Sequence, residues 1–254
     1  MEIKRALVIP DCHIPFECKR SYQLMLDVAA SVKIDEVVLL GDYADFYDIS
    51  AHPKDPDITA KLIDEVDSVI HRLMELRLLF PTQKIVYLEG NHEYRLGRYI
   101  RDRAKEFFGI ITVETMLSLE KFKIEFVPYS PVQKYRILGS KLHARHEPIG
   151  GGVHCANQTV VKASASVIFG HTHRIQESQI VSIDGENFRG ISCGWLGDET
   201  HKAFEYVKNH HQWAKGFSIT SVLPSGIWFN NLCHIIECPD GKYRTVYNGQ
   251  IFEG

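Results

Sequence analysis

Up to about Phe107 the chain repeats one pattern: a short apolar run, a polar tip, then a longer stretch with apolar residues at helical spacing. Ala6–Pro10 is an apolar run that stops at a polar turn, as a buried strand does. Between Ser21 and Val32, the residues Leu24, Leu26, Val28 and Ala29 lie among polar neighbours and predict a helix. Glu36–Leu40 reads as a second buried strand, stopped by Gly41-Asp42. From Thr59 to Phe80, Leu62, Val66, Val69, Ile70, Leu73 and Leu76 keep helical spacing, and Pro81 closes the stretch. Ile85–Leu88 is a third buried strand ending at Gly90-Asn91, and the Arg-rich Tyr94–Phe107 follows as a helix. Alternating strands and helices imply a parallel sheet with helices packed on it. Ligands gather beyond the carboxyl ends of such strands, where all three polar tips fall.

After Gly109 short strand candidates take over: Ile124–Val127, Tyr135–Leu138, Lys141–His146, Val167–Phe169, Gln179–Ile183, Phe188–Ser192, Phe217–Leu223, Gly226–Phe229 and Cys233–Cys238. Tight turns at Leu138-Gly139-Ser140, Asp184-Gly185 and Pro224-Ser225-Gly226 predict antiparallel hairpins, with one helix near Val153–Lys162 between them. No Gly/Ser or Pro-rich linker and no repeat interrupts the sequence, so residues 1–254 read as a single domain with a β-rich second half.

Composition narrows this picture only slightly. Hydrophobic residues at 44% and charged residues at 24% are ordinary for a globular protein. A net charge of −3 argues against a surface that grips polyanions globally, and mildly against a processive exonuclease on long DNA. The six cysteines form no CxxC pair and read as reduced thiols of a cytosolic protein. No signal-peptide layout opens the chain, and no apolar run approaches the ~20 residues of a membrane helix. The expectation is a cytoplasmic protein without a membrane partner. Histidine, at 13 residues, is the unusual count and directs attention to metals.

The polar tips are Asp11-Cys12-His13, Gly41-Asp42-Tyr43-Ala44-Asp45 and Gly90-Asn91-His92-Glu93. The second half adds His143, His146 and Gly170-His171-Thr172-His173. Carboxylate, imidazole and amide oxygen suit Mn²⁺, Fe²⁺ or Zn²⁺, and no thiolate tetrad suggests a closed zinc site. In an extended segment alternate residues point the same way. Asp11 and His13 could therefore share one ion while Cys12 packs elsewhere, and His171 and His173 have the same relation. Glycine ahead of Asp42, Asn91 and His171 would permit a sharp strand-to-loop turn. Asp42, in the central tip, is the natural bridge between two ions.

The order D-x-H, G-D-x-x-D, G-N-H-E, H, G-H-x-H resembles the calcineurin-like metallophosphoesterase superfamily across Asp11 to His173. A softer likeness to small phage and bacterial phosphoesterases rests on Gly90–Arg95 with Arg98, on Gly194-Trp195-Leu196-Gly197, and on Trp213 with Gly216-Phe217. The resemblance implies an α/β four-layer α-β-β-α sandwich, with two central mixed sheets flanked by helices. It implies that Asp11, His13 and His173 hold one ion, that Asn91, His146 and His171 hold the other, and that Asp42 bridges. His92 would protonate the leaving oxygen or stabilise the transition state, and Asp45 would orient His92 or a water. Two divalent ions follow, manganese first, with iron, zinc, nickel or magnesium as other candidates; they would activate a water for in-line attack on a phosphate ester.

Two departures from the family pattern bear on this assignment. The fourth motif is usually His-Gly, whereas this chain reads Leu142-His143-Ala144-Arg145-His146. Strand alternation puts the two histidines on opposite faces, and His146, at the strand end, is favoured as the ligand. No Arg-Gly follows Asp45, which weakens a protein-phosphatase assignment. Singly, each motif has a bland reading as a turn or a polar surface; the ordered set does not. Asp45 could cap a turn. Arg95 and Arg98 share a helix face and either form a solvated basic face or, with Asn91, meet the substrate. His52 could overhang the site, while His154, His201, His210 and His211 read as surface or core residues, and Trp195, Trp213, Phe217 and Trp228 as packing. The favoured function is a phosphodiesterase acting on a nucleotide or nucleic acid. The alternatives are a phosphomonoesterase, a serine/threonine protein phosphatase, and a binding scaffold without turnover. Oligomeric state is not legible.

Overall fold

Ala6, Leu7, Val8 and Ile9 are all fully buried, yet successive side chains enter different cores. Ala6 and Val8 join Val38, Leu40, Val86 and Leu88 against Leu142, Ala144, Ile168 and Ile191. Leu7 and Ile9 join Val37, Leu39, Ile85 and Tyr87 against helical residues such as Leu24, Val28, Val69 and Leu73. Strand periodicity of two thus places one sheet between a second sheet and a helical layer. This is the arrangement in a computed structural model that describes residues 2–205 and 212–254; His210 and His211 lie outside the described residues.

In chain order the elements are β1 (Lys4–Ile9), α1 (Lys19–Ala30), β2 (Glu36–Leu39), α2 (Leu62–Leu79), β3 (Lys84–Leu88), α3 (Tyr94–Arg103), α4 (Val113–Met116) and β4 (Ile124–Val127). They continue with β5 (Tyr135–Arg136), β6 (Leu142–Arg145), α5 (Cys155–Ala163), β7 (Ser166–Phe169), β8 (Ile175–Val181) and β9 (Asn187–Cys193). The last are β10 (Gly216–Val222), β11 (Trp228–His234), β12 (Ile236–Glu237), β13 (Tyr243–Tyr247) and β14 (Gln250–Glu253). The first sheet runs β11-β10-β1-β2-β3-β4, parallel from β1 to β4. The second runs β5-β6-β7-β9-β8, and a small antiparallel sheet β12-β13-β14 lies beside α1. With α5 packed on Val167 and Phe169 at the outer face of the second sheet, the layers are α-β-β-α, as expected for the family.

Several boundaries differ from the sequence expectation for identifiable reasons. Helix α2 begins at Leu62 rather than Thr59: Lys61 is extended and Asp48 Oδ2 accepts from the Leu62 N–H. β8 begins at Ile175, earlier than its apolar residues suggested; it is an edge strand, and an edge needs few of them. β11 joins the end of Gly226–Phe229 to the start of Cys233–Cys238, and Ile236–Glu237 within the latter forms the separate short strand β12. Tyr243–Tyr247 and Gln250–Glu253 add two strands that were not expected. The hairpins β8-β9 and β10-β11 form, but β6 and β7 pair in parallel across α5, and β7 pairs in parallel with β9. Ile168 lies at the middle of the inter-sheet core and is completely buried. Ile168→Ala should lower unfolding free energy by about 2–5 kcal/mol, the usual cost of emptying such a site, as read from urea titration.

Candidate metal centre

Asp11, Asp42, Asn91, His146, His171 and His173 all lie just beyond strand ends, where the two sheets converge. The backbone there is unusual: His13, Asp42, His171 and His173 have φ of 52°, 47°, 63° and 56°. Convergence of Asp11 with His13, and of His171 with His173, therefore comes from left-handed residues in loops and not from extended alternation. The three glycines also divide. Gly41 does take φ of 93°. Gly90 and Gly170 instead permit close approach, because an added Cβ would sit 2.3 Å from Asp42 Oδ1 and 2.3 Å from Asp11 Oδ2 respectively.

Backbone hydrogen bonds knit the tips together. Cys12 N and His13 N donate to Asp42 O, Gly170 N to His146 O, Leu196 N to Asp11 O and Ala214 N to His173 O. Glu93 does more than any of these. Its buried carboxylate accepts from Asp42 N, Ala44 N and Gly90 N at 2.9 Å each and from Tyr87 Oη at 2.7 Å. Gln133, also buried, accepts from His146 N at 2.8 Å and donates to Glu89 O. Trp195 stacks on the His173 ring at 4.7 Å. In the sequence Glu93 stands only as the end of a motif, Trp195 reads as general packing and Gln133 draws no attention. Only for Glu93, a carboxylate ending a turn between apolar runs, was there a signal.

Three groups of donors result: Asp11, His13 and His173; His13, Asp42 and His92; and Asp42, His146 and His171, each with ligand atoms within 4.8 Å of one another. Asn91 Oδ1 lies 2.9 Å from His146 Nε2 and 2.8 Å from His171 Nδ1. His143 stands on β6 away from them, half-buried beside Ser166 and Trp228. The structure thus brings together Asp11, His13, Asp42, Asn91, His146, His171 and His173, with His92 alongside.

The chemistry of these donors fits divalent cations. His13 Nδ1 bonds Asp45 Oδ2 at 2.8 Å, which leaves its Nε2 facing His173 Nε2 at 3.0 Å. Asp11 Oδ2 and His173 Nδ1 are buried with no hydrogen-bond partner among the described residues. His146 Nδ1 lies 2.9 Å from Leu40 O and must donate to it, so the Nε2 that faces Asn91 Oδ1 and Asp42 Oδ1 carries the lone pair unless the ring is charged. Carboxylate, amide and imidazole donor atoms converge here. Burial, then Asp42, pushes Asp11 up to about 7, against the pull of His146. His146 rises to about 10: burial opposes its proton, but Asp42 outweighs burial. Burial holds His173 well below the usual imidazole range, and His13 and His171 are lowered for the same first reason. Protons take up charge that a cation would otherwise balance.

Asp45 sits behind this centre. Its Oδ2 holds His13 and lies 3.2 Å from His92 Nδ1, while Arg95 Nη1 donates to its Oδ1 at 3.2 Å. Asp45 is held well below the usual carboxylate range, burial being overcome by His92 and His13. His92 Nδ1 approaches Asp45 O at 3.1 Å, and Arg95 Nη2 donates to His92 Nε2 at 3.0 Å. Burial works against a second proton on His92, but Asp42 and Asp45 prevail and raise its pKa. A doubly protonated ring would have to release Arg95. Arg95 is therefore not on a solvated face; it is buried and bound to Asp45 and His92. Arg98 stays farther out, 5.9 Å over the Tyr94 ring.

Residues 4–175 match the calcineurin-like phosphoesterase family, and the chain belongs to it. The Gene 54 protein of Mycobacterium phage L5 is 26% identical over 233 residues, covering 86% of this chain and 89% of that protein. Vps29 from Chaetomium thermophilum superposes with a TM-score of 0.46 at 14% identity, covering 99% of this chain and 93% of that one. The nuclease MPE from Pseudomonas putida superposes at 0.41 with 14% identity, covering 98% and 87%. Structural likenesses this loose say nothing about substrate or turnover. Among the described residues no helix is long and apolar enough to cross a membrane.

Two expectations follow from the geometry. Glu93→Gln sets an amide N–H against backbone donors that now have an acceptor, at about 1–3 kcal/mol for each buried donor stranded. Stability measured in chelator should fall by about 2 kcal/mol or more, and a change within ~0.5 kcal/mol would contradict this role for Glu93. A cation entering the group of Asp42, His146 and His171 must displace the Nε2 proton of His146, which is held up to about 10. Its folded-state pKa is raised, so the proton is present at pH 8 and is lost only as pH rises through that value. Loading at pH 8 should release at least one proton, with affinity rising toward pH 10. Calorimetric titration in buffers of different ionisation enthalpy reads this directly, and buffer-independent heats would contradict it.

Proposed function

We propose that this protein is a phosphoester hydrolase that uses two divalent cations, manganese first among the candidates, and that it favours phosphodiesters of nucleotides or nucleic acid. The observation that carries this reading is the meeting of six metal-competent side chains around Asp42, with their donor atoms converging and His92 beside them. Asp11, His13 and His173 would hold one cation and Asn91, His146 and His171 the other, with Asp42 shared. When bound, such a pair supplies an acidified water and counter-charge for the phosphoryl oxygens. The chain's own part is positioning. Asp45 fixes the rings of His13 and His92, and Glu93 fixes the main chain of Asp42. His92 is placed to meet the ester oxygen once Arg95 yields its Nε2.

Arg95 also bears on the choice of ester. Its charge is answered by Asp45 within the protein, and a monoanionic diester asks for less additional positive charge than a dianionic monoester. Manganese-loaded protein should therefore cleave bis-p-nitrophenyl phosphate faster than p-nitrophenyl phosphate. Combining Asp42→Asn with His92→Ala should cut kcat by about a thousandfold or more. Turnover surviving in that double variant would sink the reading. Bound metal with neither ester cleaved would instead leave a binding scaffold.

A further inference from the structure

Beyond His92 and Arg95 the centre opens into a cavity of about 270 Å³. Tyr47, His52 and Pro53 line it from the loop after the second tip, and Lys202 and Phe204 from the segment after β9. These walls are built rather than incidental. The buried Glu65 carboxylate accepts from Tyr47 N at 2.9 Å and Asp48 N at 3.1 Å, and Asp55 N donates to Tyr47 Oη at 2.7 Å. Phe204 packs edge-on against Trp195 and His13, and Lys202 pairs with Asp57 at 2.6 Å, tying one wall to the other.

Size and charge restrict the occupant. The cavity falls just below the ~300–1,000 Å³ of pockets for drug-sized ligands, so it suits a single ring system with a small appendage. Its planar side chains suit a flat ring. Asp55 and Glu205 at its edge would repel a further phosphate while accepting from hydroxyl or amino groups, and Lys202 offers a donor to a ring carbonyl. We infer that this cavity receives the nucleoside leaving group of a phosphodiester, and that the preferred substrates are short nucleotide diesters whose departing nucleoside bears no other phosphate. The inference rests on the phosphodiesterase reading above. In the step it serves, a water oxygen bonds to phosphorus and the P–O bond to the nucleoside oxygen breaks with its electron pair. The nucleoside leaves as an alcohol with one proton of that water, and the other proton passes to solvent.

The test separates the cavity from the catalysis. Saturation-transfer NMR with adenosine and thymidine on zinc-loaded protein should show transfer to the base protons. Ser50→Trp, which fills the cavity from a half-exposed position, and His52→Ala, which removes an exposed planar side chain from its wall, should each weaken nucleoside binding about tenfold, the scale of a single base-stacking interaction. Equal signals in wild type and Ser50→Trp, or no signal in wild type, would overturn the inference. Hydrolysis of bis-p-nitrophenyl phosphate is followed in parallel. Ester cleavage without nucleoside binding overturns the cavity assignment alone, as expected if the ester is carried by a peptide side chain. Nucleoside binding that both variants weaken, without any ester cleavage, supports the nucleoside site and overturns the catalytic reading.

Discussion

Glu93 accepts four hydrogen bonds inside the protein, and the three backbone donors among them belong to the tips that present Asp42 and Asn91. Asp42 is itself left-handed, as are His13, His171 and His173, at a cost of about 1–2 kcal/mol for each non-glycine residue. Hydrogen bonds to a charged group contribute about 1.5–3 kcal/mol apiece, so the bonds onto Glu93 are of the size needed to hold such a backbone in place. The remaining tips hang from this one. His13 N reaches Asp42 O, His92 N reaches Asp42 Oδ1, and His171 N reaches Asp11 Oδ1.

Charge pulls the other way. Asp11, Asp42, Asp45 and Glu93 are buried within a small volume, and imidazoles with lone pairs are packed among them. A protein left to itself can relieve this only by holding protons, which is why Asp11 and His146 bind them more tightly than free carboxyl and imidazole groups do. Such a centre is destabilising on its own account and makes physical sense as a place for cations. The hydrogen-bonded frame keeps the ligands converged despite their repulsion. Divalent charge would then offset the electrostatic cost directly.

Much of this was legible in the order of residue types. Period-two alternation in Ala6–Ile9 separates the two cores, and the tips fall where parallel strands end. What was not legible is long-range and steric. Nothing local distinguishes Gly90 and Gly170, which answer to the approach of Asp42 and Asp11, from glycines required by a positive φ. Gln133 orients His146 across a gap of 13 residues, and Trp195 backs His173 from the loop just past β9. Arg95 looked like one cation of a basic helical face because its helix carries Arg98, Arg101 and Arg103 as well. Only the fold brings Asp45 and His92 to meet it. The parallel pairing of β6 with β7 was hidden for a similar reason, since turn signals report neighbours in sequence and α5 carries the chain past them.

Rigidity and variability are consequently divided between different parts of the molecule. Ligands that must converge to within hydrogen-bonding distance sit on strand ends, each tied to another tip by main-chain or buried side-chain bonds. The segment 47–57 and the segment around Lys202–Phe204 contribute none of the converging donor atoms, although Phe204 packs against His13 and Trp195. Yet they are not slack, because Glu65 and Asp48 fasten the first to α2 and an ion pair joins it to the second. In the proposed reaction, a pocket shaped by such segments would set which alcohol departs, while the frame beneath would set how the ester is held. On the proposed reading, substrate choice and reaction chemistry would be coupled through Asp45, which bonds His13 on one side and Arg95 on the cavity side.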